Sequence, residues 1–168
     1  MYSIISVLDA NRYNRRDRWS GVKERRAGPE DLPALMALEE GGFGPRGWPE
    51  EHVRGLMDDP SVRVLVLDGD GPVAYVMFCI SPAYETAEVL SLAVLPSMRR
   101  QGLGRRLMGA VEREAAREGA VSIVLCVRPD NSPAVNLYLS QGYKVLALCS
   151  GYYEDGADAY MMVKHLEG

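Results

Sequence analysis

The chain has 168 residues and is 47% hydrophobic, enough for one globular domain with a sizeable core. A formal net charge of −4 and a pI near 5.3 exclude a general affinity for nucleic acid. No apolar run approaches the ~18 residues of a membrane span, and no signal-peptide pattern opens the sequence, so a cytoplasmic protein is expected.

Residues 1–21 read as an arm of their own, followed by a single domain over 22–168. Tyr2 to Leu8 has the content of a short strand, whereas Asn11 to Trp19 is polar and carries Arg12, Arg15, Arg16 and Arg18. A basic run of this kind is a solvated arm or a segment for docking on RNA or the ribosome. Val22 to Ala27 is the first predicted strand. Gly28-Pro29-Glu30-Asp31 opens a helix with acidic residues in its first turn. That helix carries Leu32, Leu35, Met36 and Leu38 on one face and is expected to stop at Gly41-Gly42. The loop Phe43-Gly44-Pro45-Arg46-Gly47-Trp48 mixes aromatics with backbone breakers, which either line a groove or anchor the loop to the core. A second helix runs from Pro49 to about Met57.

Ser61 to Leu67 and Val73 to Ile80 are β-rich runs joined by Asp68-Gly69-Asp70-Gly71, a strong hairpin signal. Glu85 to Leu95 is the next strand. Pro96 ends it, and the polar turn Ser97-Met98-Arg99-Arg100-Gln101-Gly102 leads into a helix from about Leu103 to Glu118. Leu103, Leu107, Val111 and Ala115 form its apolar stripe, and Gly119 is its stop. Val121 to Val127 has the content of a buried central strand. Ser132 is expected to cap the next helix, with Pro133 in its first position and an end near Gly142. Tyr143 to Cys149 and Ala159 to Lys164 are the last strands, separated by the tyrosine-bearing loop Gly151 to Asp158. The order β-α-α-β-β-β-α-β-α-β-β describes one mixed α/β layer structure.

Cys79, Cys126 and Cys149 are an odd number of thiols, each in an apolar strand-like run. They read as buried, reduced side chains of a cytoplasmic protein and not as a disulfide frame. The two histidines, His52 and His165, lie far apart, and no metal site is expected.

The chemistry concentrates where a strand hands over to a glycine-bearing turn and a helix N-terminus. Glycine lets the backbone approach a ligand closely, and the first N–H groups of a helix favour an anion. Arg99, Arg100 and Arg105 add charge that suits a pyrophosphate. The lysine-bearing phosphate loop is absent, because Gly-Arg-Arg stands where Gly-Lys-Ser/Thr is needed. The dinucleotide fingerprint fails as well, with Leu107 at its third glycine. What remains, Val-x-Pro-x-x-Arg-Arg-Gln-Gly-x-Gly-x-x-Leu, resembles the acetyl-CoA pyrophosphate loop of the GNAT N-acetyltransferases. A second block, Arg128-x-x-Asn131-x-x-Ala134-x-x-Leu137-Tyr138-x-x-x-Gly142-Tyr143, is similar to the last conserved block of the RimI-like and archaeal N-terminal acetyltransferases. The tail Gly151 to Met162 is similar to that subgroup too, and the resemblance spans Val22 to about Leu166.

The resemblance implies the GNAT fold, a mixed central sheet with helices on both faces. It also implies acetyl-CoA as co-substrate, held by Leu92, Val94, Arg99, Arg100, Gln101, Gly102, Leu103, Gly104, Arg105, Asn131 and Tyr138. Amine attack on a thioester puts charge on the carbonyl oxygen and expels a thiolate. Backbone N–H groups near Val94 suit the former, and Tyr138 is the implied acid for the latter. Either residue also has a plainer use: Tyr138 as a core tyrosine on an apolar face, Asn131 as a turn or cap residue. Trp48, Tyr152 and Tyr153 would border a peptide entrance.

One position departs from the pattern. Close relatives carry a glutamate as general base where this chain has Cys126, and a buried thiol is a poor substitute. Glu88, in the preceding strand, is the candidate replacement, because a carboxylate is costly to bury in an apolar strand without purpose. Its alternative is a strand-edge residue facing water. The missing base favours an α-amine, which titrates at about 7.7–8.0, over a lysine at about 10.4. The expected function is therefore acetyl transfer to a protein or peptide N-terminus, with a ribosomal protein as one such partner. The alternatives are a small-molecule amine acetyltransferase and a non-catalytic acyl-CoA sensor.

Overall fold

A computed structural model of the chain describes residues 21–167. The expectations for the basic arm fall on residues 1–20 and lie outside the described residues. The elements are β1 (Lys23–Arg26), α1 (Leu32–Phe43), α2 (Glu50–Asp58), β2 (Val62–Gly69), β3 (Gly71–Ser81), β4 (Thr86–Val94), α3 (Leu103–Arg117), β5 (Ser122–Val127), α4 (Ser132–Ser140), β6 (Lys144–Cys149) and β7 (Ala159–His165). Their order is the one expected from the sequence. The strands form one sheet in the order β1-β2-β3-β4-β5-β7-β6. It is mixed: β4 and β5 run parallel, while β1/β2, β5/β7 and β6/β7 are antiparallel. A parallel pair cannot be closed by a hairpin, and α3 is the crossover between β4 and β5.

The chain gathers into two compact units. Among the described residues, the first holds 21–76 together with Leu92–Leu107. Its core takes Leu35 and Leu38 of α1, Val53 of α2, and Val66, Leu67 and Tyr75 of the strands. At its edge, both guanidinium NH₂ groups of Arg25 donate to Asp31, at 2.7 and 2.9 Å, and its Nε donates to Asp68 at 2.7 Å. The two Arg25 bonds to Asp31, with the Gly28 N–H at 2.8 Å, hold the Asp31 carboxyl below the usual carboxylate range. The second unit takes Met77–Ser91 and the chain from Met108 onward. Met108, Val111 and Ala115 of α3, Ile123 and Leu125 of β5, and Met162 of β7 are buried in it. Lys164 donates to both oxygens of Glu112 at 2.9 Å, tying β7 to α3.

Four local expectations need correction. Helix α1 does not stop at Gly41-Gly42 but runs to Phe43, and Gly44, at φ +55°, ends it. Gly42 serves packing, since a β-carbon there would crowd Ala93 at 3.3 Å, whereas one at Gly41 would reach only ordinary contact with Pro96 at 3.5 Å. The cap of α4 is Asn131, whose side-chain oxygen accepts from Ala134 N–H at 3.3 Å, so Ser132 is already helical. Strand β5 is central, yet only Ile123, Leu125 and Val127 are buried, and the alternate residues Val124 and Cys126 are half-buried. The three cysteines form no disulfide among the described residues and are half-buried, not fully enclosed. Among the described residues, no helix is long and apolar enough to cross a membrane.

Candidate active site

The turn after β4 belongs to the first unit. Residues 91 to 94 alternate, with Ser91 and Ala93 buried and Leu92 and Val94 half-buried on the opposite face. Leu95 N–H bonds Val73 on β3 at 2.8 Å, so strand alternation turns the Val94 N–H to the other side of β4. Pairing of β4 with β5 is registered from Thr86↔Ser122 to Val89↔Leu125, leaving Val94 beyond the last registered pair. Arg100 takes φ +59° and Gly102 φ +87°, which bend the turn before α3. A β-carbon on Gly102 would have nothing within 4 Å, so the turn is open above that residue. The first α-helical bond of this end is Arg106 N–H to Gly102 C=O at 3.0 Å. The N–H groups of Leu103 and Gly104 precede it and have no acceptor within the helix.

The expected cofactor residues divide by what the structure does with them. Arg100 and Arg105 are exposed, and Gln101 and Gly104 are half-buried. The Leu103 side chain is buried at 1% exposure, so only its backbone faces outward chemistry. Arg99 is engaged within its own fold: it donates to Val94 C=O at 3.2 Å and Gly41 C=O at 2.9 Å. It pins the turn to the end of α1. Trp48, in the same unit, is half-buried, and its ring meets His52 edge to face at 4.9 Å. Its backbone N–H donates to Glu39 at 3.1 Å.

In the second unit, α4 buries Tyr138 to 6% exposure and sets its ring against Tyr143 at 5.8 Å. Burial, with a smaller contribution from Tyr153, pushes the Tyr138 phenol up to about 12. It is a protonated donor at any physiological pH. The side-chain oxygen of Asn131, which caps that helix, is in use, leaving its amide NH₂ for other contacts.

Cys126 points from β5 toward the tyrosine loop, where Tyr152 hydrogen-bonds its thiol. Burial pushes the Cys126 thiol up, partly offset by that bond. The bond to Cys126 in turn lifts the Tyr152 phenol to about 12. Glu88 is exposed, so the expectation of a buried carboxylate fails; it faces water as its plainer alternative has it, but from an interior strand and not from the sheet's edge. Strand register nevertheless sets Glu88 opposite Val124, on the face that also carries Cys126. Its charge is felt at both Cys126 and Tyr152.

Sequence reasoning missed two anchors. Arg128 stacks over the Tyr153 ring at 4.1 Å and pairs with Asp155 at 3.0 Å, clamping the tyrosine loop to the end of β5. The other is Glu39, buried to 2% exposure. It stands four residues after Leu35 on the buried face of α1, the one sequence signal that marked it. Among the described residues, no three of His, Cys, Asp and Glu are grouped as metal ligands would be.

A sequence model of the acetyltransferase (GNAT) family matches residues 30–143. The chain belongs to that family. It is 44% identical over 80 residues to an N-alpha-acetyltransferase of Sulfurisphaera tokodaii, a match covering 46% of this chain and 47% of that protein. It is 33% identical over 151 residues to the catalytic subunit NAA10 of the N-terminal acetyltransferase A complex of Arabidopsis thaliana, covering 86% of this chain and 78% of that one. The crystal structure of the ribosomal-protein-S18-alanine N-acetyltransferase of Escherichia coli superposes with a TM-score of 0.78 at 26% identity, over 88% of this chain and 95% of that one. The chain spans less than half the length of several curated relatives it matches, the Sulfurisphaera protein among them.

Proposed function

We propose that this chain is an acetyl-CoA-dependent N-acetyltransferase acting in the cytoplasm on the α-amino group of a protein, of which a ribosomal protein is the favoured kind. The observation that carries this reading is Tyr138, a buried phenol held in its protonated form at the position where the family places its acid. The names of the matched relatives support the α-amine as acceptor.

Acetyl-CoA supplies an acyl group activated as a thioester. The open turn at Gly102, the N–H groups of Leu103 and Gly104, and the exposed Arg100 and Arg105 fit its diphosphate. Gln101 lies in the same turn. Arg99 serves by holding the turn in place. Leu92 and Val94 line its acyl side, with the Val94 N–H toward the carbonyl oxygen. The free amide of Asn131 faces the pantetheine. Tyr138 donates its proton toward the departing sulfur. Trp48, Tyr152 and Tyr153 border the acceptor peptide.

The acceptor must arrive as a neutral amine. An α-amine at about 7.7–8.0 needs little help near neutral pH, whereas a lysine must lose over two further units, roughly 3 kcal/mol. Cys126 is too weakly acidic as a thiol to matter as a base. Glu88 is the carboxylate on that face and takes the proton, directly or through water.

The test is release of CoA with a panel of amino-terminal peptides, lysine peptides and small amines. Turnover confined to the first class, and lost in Tyr138→Phe, is the expected result. Turnover only on small amines would move the acceptor to that class. One observation favours a second reading, a non-catalytic acyl-CoA sensor: the replacement of the base by Cys126. Binding of acetyl-CoA without turnover on any amine would establish it.

A further inference from the structure

Glu39 is a buried carboxylate that this chemistry leaves without a task. It sits in the last full turn of α1 at 2% exposure. Tyr75 on β3, fully buried, donates its hydroxyl to one carboxylate oxygen. The other oxygen accepts the backbone N–H of Trp48 at 3.1 Å. A carboxylate is costly to bury, and an apolar residue of similar size generally serves stability as well. What leucine cannot do is accept two hydrogen bonds from opposite sides. The carboxylate is a link from a rigid strand to the backbone of the loop that carries Trp48.

The neighbouring glycine records the same constraint independently. Gly47 has φ −65° and ψ 154°, a backbone that any residue adopts. A side chain is crowded there instead: a β-carbon would meet Gly44 C=O at 3.2 Å and Glu39 C=O at 3.3 Å. The loop is seated directly on the end of α1, and both contacts are backbone atoms that cannot swing away. The seat also fixes the Trp48 ring, which closes edge to face on His52 of α2 at 4.9 Å.

We infer that Glu39 is a positioning residue for the acceptor, a buried carboxylate that holds the 44–48 loop, and with it Trp48, in the place where the acceptor peptide binds. The inference rests on the proposed reading of Trp48 as a border of the peptide entrance. It makes acceptor affinity, and not acetyl-CoA affinity, the quantity that the Tyr75–Glu39–Trp48 chain controls.

Three variants test it. Glu39→Leu removes both acceptors at similar volume and is expected to raise the peptide KM about tenfold, the scale of one charged hydrogen bond, with acetyl-CoA KM unchanged. Gly47→Ala lifts the loop without touching the carboxylate and should do the same. Glu39→Gln is the rescue: its carbonyl still accepts from Trp48 while the Tyr75 hydroxyl turns to accept from its amide. It should keep a peptide KM close to the original. Exchange of the Trp48 amide proton, followed by NMR, gives a readout free of turnover. It should quicken in Glu39→Leu and Gly47→Ala and stay slow in Glu39→Gln. Unchanged exchange in folded Glu39→Leu overturns the inference, as does an equal rise in both KM values, which marks a merely structural role. Absence of peptide turnover by the unaltered protein would instead remove the functional reading on which the inference stands.

Discussion

The turn before α3 and the tyrosine cluster around β5 are built from different materials. The turn works through backbone: Arg100 and Gly102 at positive φ, and helix N–H groups that precede the first intrahelical bond. The cluster works through side chains drawn from β4, β5, α4 and the loop before β7, namely Glu88, Cys126, Tyr138 and Tyr152. A backbone device tolerates little change at its glycine and much change elsewhere. A side-chain device is the reverse, since each member can be exchanged without moving the chain. In this chain the turn keeps the pattern that the family resemblance rests on, while the cluster holds Cys126 where that resemblance implies a glutamate.

The largest effect should come from the cluster. Tyr138→Phe keeps the ring contact with Tyr143 and removes the proton donor. Turnover should fall about 100-fold with acetyl-CoA affinity unchanged by calorimetry. With the phenol at about 12, the rate of the unaltered protein should rise through the acceptor amine's own titration and show no alkaline decline below about pH 10. A decline near pH 9 would point to a different acid.

Next comes the turn. Gly102→Ala puts a β-carbon at φ +87°, where space is free but the conformation costs about 1–2 kcal/mol. Acetyl-CoA binding should weaken roughly tenfold while the activity at saturating co-substrate is kept, the opposite split from Tyr138→Phe. Equal affinity in the variant would remove the turn from the binding site. Comparable in size but opposite in sign, Cys126→Glu should raise turnover up to about tenfold if proton removal limits the rate. An unchanged rate would mean that Glu88, or the free amine itself, already suffices.

The smallest effect lies away from both regions. Asp31 has its carboxyl held low by Arg25, so its stabilisation is complete above the unfolded value of about 3.9 and drains away as pH falls through the folded one. Asp31→Asn should cost about 1 kcal/mol at pH 7, discounted because the Arg25 side chain is 37% exposed. The difference from the unaltered protein should shrink on acidification below about pH 4. A constant difference across that range would locate the effect in packing instead of charge.

The element order, the hairpin tip at Asp70, the buried stripe of α3 and the glycine-bearing turn before it are all legible in the residues, because each depends on neighbours within a few positions. Periodicity marks a face, and a positive φ demands glycine or an open turn. The end of α1 is hidden for the same local reason: Gly41 and Gly42 look like a stop, but the helix continues to Phe43, and the missing side chain of Gly42 answers Ala93, more than fifty residues on. The apolar neighbours of Glu88 leave its burial open in the sequence, and the alternation of β4 places it outside.

What the sequence determined by itself is therefore the scaffold and the turn before α3, since both are properties of short stretches. Tertiary structure alone decided the partners: the Tyr152 bond to Cys126, the Arg128 clamp on Tyr153 and Asp155, and the seat of Trp48 on Glu39. Hydrogen bonds and ring contacts act only within a few ångströms, and which side chains come that close is fixed by packing and strand register.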